Sequence, residues 1–460
     1  MPNQSKSVES NIFAITADWI IPMDIEMNPT ENDSLSNNLW ENDFALVIRD
    51  RTILDILSQS DLADRYPEIT TTKLSGFALM PGLINAHTHA AMNLLKGFSD
   101  DLLLEQWLKE AIWPVEKALV DDDFVYQGTQ LAMAEMIRGG TTCFQDMYYM
   151  PDQIAKAVDS AKMRANIGLI VVESNNAWSK NADECISKAL DVNDQFKHHA
   201  NLSFSFAPHA CYTVSEQSLR KIASLSFELN LNIHMHVHET AQEIDQFVAE
   251  HGLRPMAKLK QLGLLSPQLN ATHMTQLNLE EIDELAQSGT HVIHCPQSNM
   301  KLASGICAIT ELYQAGVNIA IGTDGAASNN DLDMLAELQT AALLAKSTSG
   351  NPASFTAYQA LYAATMGGAK ALGLADLVGS LTVGKEADFI AIDLSQIETQ
   401  PVYNPISQIV YSASREQVKH VWVAGEQLLD DRRLTTLDEN KLLKNAKKWQ
   451  QEIVKTTDQQ

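Results

Sequence analysis

Residues Pro81 to Asp101 read PGLINAHTHAAMNLLKGFSDD, an apolar run that ends in His87-Thr88-His89. In a β-strand residues i and i+2 point to the same side. His87 and His89 can therefore face one point together at a strand end. Taken alone the pair is either half of a metal site or two histidines finishing a strand, and the rest of the chain decides between them.

Seven further β-branched apolar segments follow: Thr141–Met147, Ala165–Glu173, Asn201–His209, Leu231–Glu239, Asn270–Met274, His291–Pro296 and Val317–Asp324, after a first segment Phe77–His89. Stretches with helical periodicity lie between them, among them DDFVYQGTQLAMAEMIRGG, PDQIAKAVDSAKMR, SEQSLRKIASLSFELN and NLEEIDELAQSG. Alternating β and α segments predict a parallel sheet, and eight such units predict a closed (β/α)8 barrel of TIM type in an α/β fold. The two ends differ from the middle. NIFAITADWIIPMD and FALVIRDRTILDILS near the start, and ADFIAIDLS and VKHVWVAGEQLLDD near the finish, read as short strands, with Gly425 at a hairpin turn. These segments predict one small β-sandwich domain built from both termini. The expected division is 1–76 and 379–460 for that domain, the latter with a C-terminal helix ENKLLKNAKKWQQEIVKT, and 77–378 for the barrel. The polar run Asn28 to Asn42 reads as a loop.

The 460 residues, 45% hydrophobic, suffice for a large domain and a smaller one. A formal charge of −25 repels phosphate backbones and argues against nucleic-acid binding. No apolar run reaches the roughly 18 residues of a membrane span. The first residues lack the order of a signal peptide, so a cytoplasmic, soluble protein with no membrane partner is expected. Five scattered cysteines without a CxxC argue against a disulfide framework or a cysteine-rich zinc site. There is no G-x-S-x-G, and no G-x-G-x-x-G opening a helix.

The chemistry gathers at the segment ends. Segment one ends in His87 and His89, segment four in His209, segment five carries His234, His236 and His238 before Glu239, segment six contains His273, and segment eight ends in Asp324. In a barrel these C-terminal ends meet at one mouth. Imidazoles with a carboxylate suit zinc, iron or manganese. His234, His236 and His238 alternate and share a face, so spacing leaves open which of them ligates. A carboxylate such as Glu239 beside a metal is what hydrolysis needs to move a proton, Asp324 can bind and orient, and His273 can donate to a developing oxyanion.

PGLINAHTHA, HMHVHET, THMT and GTDGAASNN, in this order, resemble the landmarks of the amidohydrolase superfamily. Longer strings, NAHTHAAMNLLKGFSDDLLLEQWLKEAIWPVE, APHACYT, HCPQSNMKLASG and GTDGAASNNDLDML, resemble its 5-methylthioadenosine/S-adenosylhomocysteine deaminase branch. The resemblance spans essentially the whole chain. It implies metal ligation by His87, His89, His236 and Asp324, proton transfer by Glu239, assistance by His273, a ribose grip by Glu116 and a purine contact by His209. It implies one divalent ion per subunit, Zn2+ ahead of Fe2+ or Mn2+, because segment four, NLSFSFAPHACYT, lacks the lysine that bridges two ions in related barrels. It also implies a purine nucleoside substrate and a homodimer. The expected reaction is hydrolytic deamination at C6. Guanine-type deamination or triazine dechlorination could use the same site, and a non-catalytic scaffold is the alternative from another class. VVESNNAWSKNADECISKAL, after segment three, departs from the branch by lacking an arginine for an amino-acid tail, which favours methylthioadenosine over S-adenosylhomocysteine. Trp178 there is either loop packing or an apolar lid over a thioether.

Overall fold

The computed structural model describes residues 11–24, 40–41 and 44–457. Eight strands form one parallel sheet in chain order, each beside the next, and nine form a second, mixed sheet from the two ends of the chain. The end sheet contains β1 (Ile12–Ile20), β2 (Trp40–Glu41), β3 (Phe44–Arg49), β4 (Thr52–Ser58) and β5 (Thr70–Pro81). The parallel sheet contains β6 (Leu83–Thr88), β7 (Thr141–Tyr148), β8 (Arg164–Val171), β9 (Leu202–Pro208), β10 (Asn232–Val237), β11 (Leu269–His273), β12 (His291–His294) and β13 (Ile319–Ile321). The chain then returns to the end sheet with β14 (Phe389–Asp393), β15 (Val418–Val423), β16 (Glu426–Asp430) and β17 (Arg433–Leu434). The sheet joins the termini where β5 pairs with β1 on one side and β14 on the other. Of the polar run expected as a loop, only Trp40–Glu41 lies within the described residues, where it pairs with the end of β1.

Strands β6, β7 and β8 are buried along their whole length, as expected of strands covered on both faces. The helices between barrel strands start where the sequence supplies a cap. Asp121, Asn181, Ser215 and Thr240 each accept a hydrogen bond from a backbone N–H of the first turn, and Asn278 forms a capping box with Glu281. The long helices observed at Asp122–Arg138, Pro151–Ala161, Glu216–Leu229, Leu279–Ser288 and Glu439–Thr457 lie where periodicity placed them. None of the described helices is long and apolar enough to cross a membrane.

Segment Phe77–His89 is two strands rather than one. β5 belongs to the end sheet and stops at Pro81, and β6 opens the barrel at Leu83. Between them the Gly82 N–H donates to Asp388 O at 3.1 Å, while Leu83 N–H donates to Gly140 O at 3.0 Å. A Cβ on Gly82 would lie 2.0 Å from Thr142 Oγ1, so only glycine lets the chain pass from one sheet to the other here. A second bond between the sheets is ionic. The Arg164 guanidinium, at the start of β8, donates to both oxygens of Asp388 at 2.7 and 3.0 Å and also reaches Glu386.

Closure of the barrel between β6 and the end of β13 is made by side chain and backbone together. Asn85 donates to Thr323 Oγ1 at 2.7 Å and accepts from Thr323 N–H at 3.0 Å. Asp324 N–H donates to His87 O at 3.0 Å. Gly425 has φ 77° in the turn between β15 and β16, as the hairpin reading required.

Candidate metal centre and active site

The barrel brings the strand-end residues together. His87 Nε2 and His89 Nε2 each lie 3.3 Å from Asp324 Oδ1, and His236 Nε2 lies 3.2 Å from His87 Nε2. Around an ion with bonds of about 2.0–2.1 Å, tetrahedral donors are about 3.3–3.4 Å apart. The separations fit such an ion. The opposite ring atoms are all engaged: His89 Nδ1 with Met147 O at 2.6 Å, His236 Nδ1 with His209 O at 2.9 Å, and His87 Nδ1 with His234 Nε2 at 2.7 Å. With the Nδ1 atoms used this way, the Nε2 atoms are left as metal donors. They fall into two sets that share His87, one with His89 and Asp324 and one with His236 and His273. Asp324 is oriented in turn by Ser298 and Ser328, which donate to Oδ2 at 2.6 and 2.9 Å.

Protonation states suit the same purpose. Burial drives His87 down to about 4 and His236 well below its usual range, so both rings are neutral. Burial also opposes a charge on His89, but hydrogen bonding and the negative charge of Asp324 lift it to about 9. Burial opposes charge on Asp324 too, and the hydrogen bonds from His87 and His89 overcome it and hold the carboxyl well below the usual range. The carboxylate thus demands positive charge at Oδ1. The neutral rings of His87 and His236 and the anionic Asp324 are already in the forms that bind a metal, His89 gives up its proton to join them, and the donor set supports a divalent ion.

His273 sits beside this group. Its Nδ1 is 2.9 Å from Asn299 Oδ1, and its Nε2 is 3.8 Å from Glu239 Oε2. A nitrogen of His273 also lies within 4.8 Å of those of His87 and His236. Glu239 is buried, and burial raises its carboxyl above the ordinary value. Its backbone is pinned by Glu243, which accepts from Glu239 N–H at 2.7 Å, and by Thr275 Oγ1, which donates to Glu239 O at 2.6 Å.

Four non-glycine residues at these strand ends adopt left-handed backbone: His238 (φ 54°), His273 (φ 77°), Met274 (φ 48°) and Asp324 (φ 62°). Such conformations persist where the surroundings impose them, and they collect at functional sites. This twist separates His238 from the other two histidines of its segment. β10 ends at Val237, and His238 Nε2 accepts from Met256 N–H at 3.2 Å, away from the metal point. The shared face expected for His234, His236 and His238 therefore holds only for the first two.

His89, His209, His236, Glu239, His273 and Asp324 line a cavity of about 770 Å3, measured out to its open mouth, and Glu116 lies on its wall. His87 lies behind them, fully buried. Glu116 follows a π-helical stretch, Trp107–Ile112, at the start of the helix Trp113–Leu119. Tyr148 O–H donates to Glu116 Oε1 at 2.7 Å, and burial pushes the carboxyl up to about 7 against that bond. Burial lowers the His209 ring to about 4, so it is neutral. Trp107, Leu108, Ile112 and Trp113 supply an apolar wall. Trp178 is buried in the core and is not on that wall, which leaves it with the packing role.

Sequence reading missed the supporting groups: His234 behind His87, Tyr148 behind Glu116, Ser298 and Ser328 behind Asp324, and Asn299 behind His273. HCPQSNMKLASG carried a signal for Ser298 and Asn299, since it stood out as a string. Tyr148 had none.

The amidohydrolase family model matches residues 78–428. The chain is 47% identical over 441 residues to the 5-methylthioadenosine/S-adenosylhomocysteine deaminase of Teredinibacter turnerae, covering 96% of this chain and 97% of that protein. It is 43% identical to the protein of the same name from Saccharophagus degradans, covering 95% and 96%. Among solved structures, an adenosine deaminase from Xanthomonas campestris with bound zinc superposes with a TM-score of 0.91 at 42% identity, covering 96% and 98%.

Proposed function

The chain belongs to the amidohydrolase family, and from that premise we propose that it hydrolyses the C6 amine of a 5′-thio-substituted adenosine, 5-methylthioadenosine or S-adenosylhomocysteine, giving the inosine analogue and ammonia. The observation that carries this reading is the presence of two carboxylates, Glu239 and Glu116, in the lining of one cavity. Glu239, beside His273 and Asp324, serves the C6–N1 edge of a purine, and Glu116, held by Tyr148, accepts from the ribose hydroxyls.

His87, His89, His236 and Asp324 would hold a single divalent ion, zinc by preference with iron or manganese as competitors for the same donors. When bound, such an ion makes hydroxide available near neutral pH and stabilises negative charge on oxygen. Glu239 takes the proton of the attacking water and delivers it to ring N1, a transfer that its burial favours by stabilising the neutral carboxyl. Asp324 accepts a hydrogen bond from the nucleophile and fixes its direction. His273, with Nδ1–H donated to Asn299 Oδ1, offers Nε2 as an acceptor to the hydroxyl of the attacking nucleophile. His209 contacts the purine ring, and the aromatic wall excludes bulk water. In this division of labour the barrel strands β6 to β13 carry the reaction, and the end sheet, which includes Phe77–Pro81, braces them.

The test is the fall in adenine absorbance when metal-loaded protein meets methylthioadenosine, S-adenosylhomocysteine and adenosine. Absence of change with all three rejects the substrate class. Turnover of guanine or a chlorotriazine in the same panel transfers the site to the neighbouring chemistry.

A further inference from the structure

His89 and His236 direct their Nδ1 atoms at backbone carbonyls, Met147 O and His209 O, which the fold itself provides. His87 differs: its Nδ1 faces a side chain, His234 Nε2, at 2.7 Å. We propose that His234 is a positioning residue that selects the Nδ1–H tautomer of His87 and aims its Nε2 at the metal; this rests on the metal reading of the site.

Both rings are fully buried and lie edge to edge and nearly coplanar, with centroids 4.9 Å apart and planes 21° apart. No bulk water reaches His87 Nδ1, so the tautomer is decided by the partner that faces it. An unprotonated Nε2 on His234 accepts the Nδ1–H of His87 and leaves the His87 Nε2 lone pair bare. Thr272 Oγ1, 3.2 Å from the same Nε2, holds the His234 ring from the adjacent strand. The far nitrogen gives the second argument. His234 Nδ1 is buried with no hydrogen-bond partner. An orphaned polar atom opposes folding, and an apolar side chain of similar size would fill the space without that penalty. Packing therefore does not account for a histidine here. Its one good hydrogen bond, to a ligand, does. Imidazole as the outer partner also keeps the site's charge unchanged, whereas a carboxylate would add a second negative charge behind Asp324.

The experiment measures zinc affinity of the full-length protein by chelator competition, with the absorption spectrum of the cobalt-substituted form as a second readout. His234→Leu removes the acceptor, and zinc affinity is expected to fall about 10–100-fold, the range typical of outer partners of ligating histidines. The cobalt bands should change in position or intensity. His234→Gln offers an amide oxygen to His87 Nδ1–H and should restore most of both. Wild-type affinity and cobalt spectrum in His234→Leu overturn the proposal alone. A wild-type chain that binds no stoichiometric metal overturns the metal reading and the proposal with it. If His234→Leu does not fold, the tautomers are read in the wild-type zinc protein by 15N-histidine NMR: His87 protonated at Nδ1 facing a bare His234 Nε2 is expected, and a proton on His234 Nε2 overturns the assignment.

Discussion

Asn85 and Thr323, 238 positions apart in sequence, exchange two hydrogen bonds, Nδ2 to Oγ1 at 2.7 Å and Thr323 N–H to Oδ1 at 3.0 Å. They close the barrel between its first and last strands, two residues below His87 and one before Asp324. Replacing Asn85 by Leu leaves the Thr323 N–H buried and unpaired, while the Thr323 hydroxyl keeps its bond to Asp324 O at 3.0 Å. One such group costs about 1–3 kcal/mol. The urea midpoint of Asn85→Leu should fall accordingly, and zinc affinity should fall with it, because both flanking ligands lose their anchor. Loss of stability with unchanged zinc affinity would separate closure from the metal site.

Glu239→Gln keeps the shape of the side chain and removes its proton transfer. kcat should fall about 10²–10⁴-fold, the usual contribution of a general acid–base group, while stoichiometric metal is retained. Activity near that of the wild type would remove Glu239 from the mechanism.

Glu116 accepts ribose hydroxyls only as a carboxylate. Burial raises it to about 7, opposed by the Tyr148 hydrogen bond and the charge of His89. The carboxylate is thus present above pH 7 and lost as pH falls through it. KM for methylthioadenosine should rise below pH 7, and Glu116→Gln should show a high KM without this dependence. Tyr148→Phe frees Oε1 and should change KM with little effect on kcat. A KM flat from pH 6 to 8 in the wild type contradicts the assignment.

Among the described residues, Lys109 is the sole lysine or arginine on the walls of the catalytic cavity and of the larger space that opens beside Glu239, and it is paired with Glu105. A carboxylate tail therefore finds no free cation. kcat/KM for methylthioadenosine should exceed that for S-adenosylhomocysteine by about tenfold or more, the cost of one unpaired charged group. Equal values would show that the tail has a partner elsewhere.

The sequence revealed strand ends well because they couple two local signals, an apolar β-branched run and the ligand-type residue that stops it. His87, His89, His209, His273 and Asp324 were legible for that reason, and the spacing of His236 to Glu239 needed only a strand that ends between them. Glu116 needed the resemblance, since a glutamate in WPVE is otherwise an ordinary helix residue. The groups that tune these residues were not legible. Tyr148 meets Glu116, and Ser298 meets Asp324, through packing of elements remote in sequence. The left-handed backbone of Asp324 and His273 is imposed by tertiary contacts and carries no glycine to announce it. The break at Gly82 was hidden inside a continuous apolar run, because both halves are buried strands and only their partners differ.

That one-residue passage at Gly82 has a thermodynamic corollary. The end sheet stops at Pro81, and the metal strand starts at Leu83, with Arg164 clamped to Asp388 across the same seam. Fraying of one sheet withdraws support from the other within a few residues of His87. Heating should produce a single calorimetric peak rather than two, and its midpoint should climb with the logarithm of free zinc, because the ion binds only while both sheets are intact.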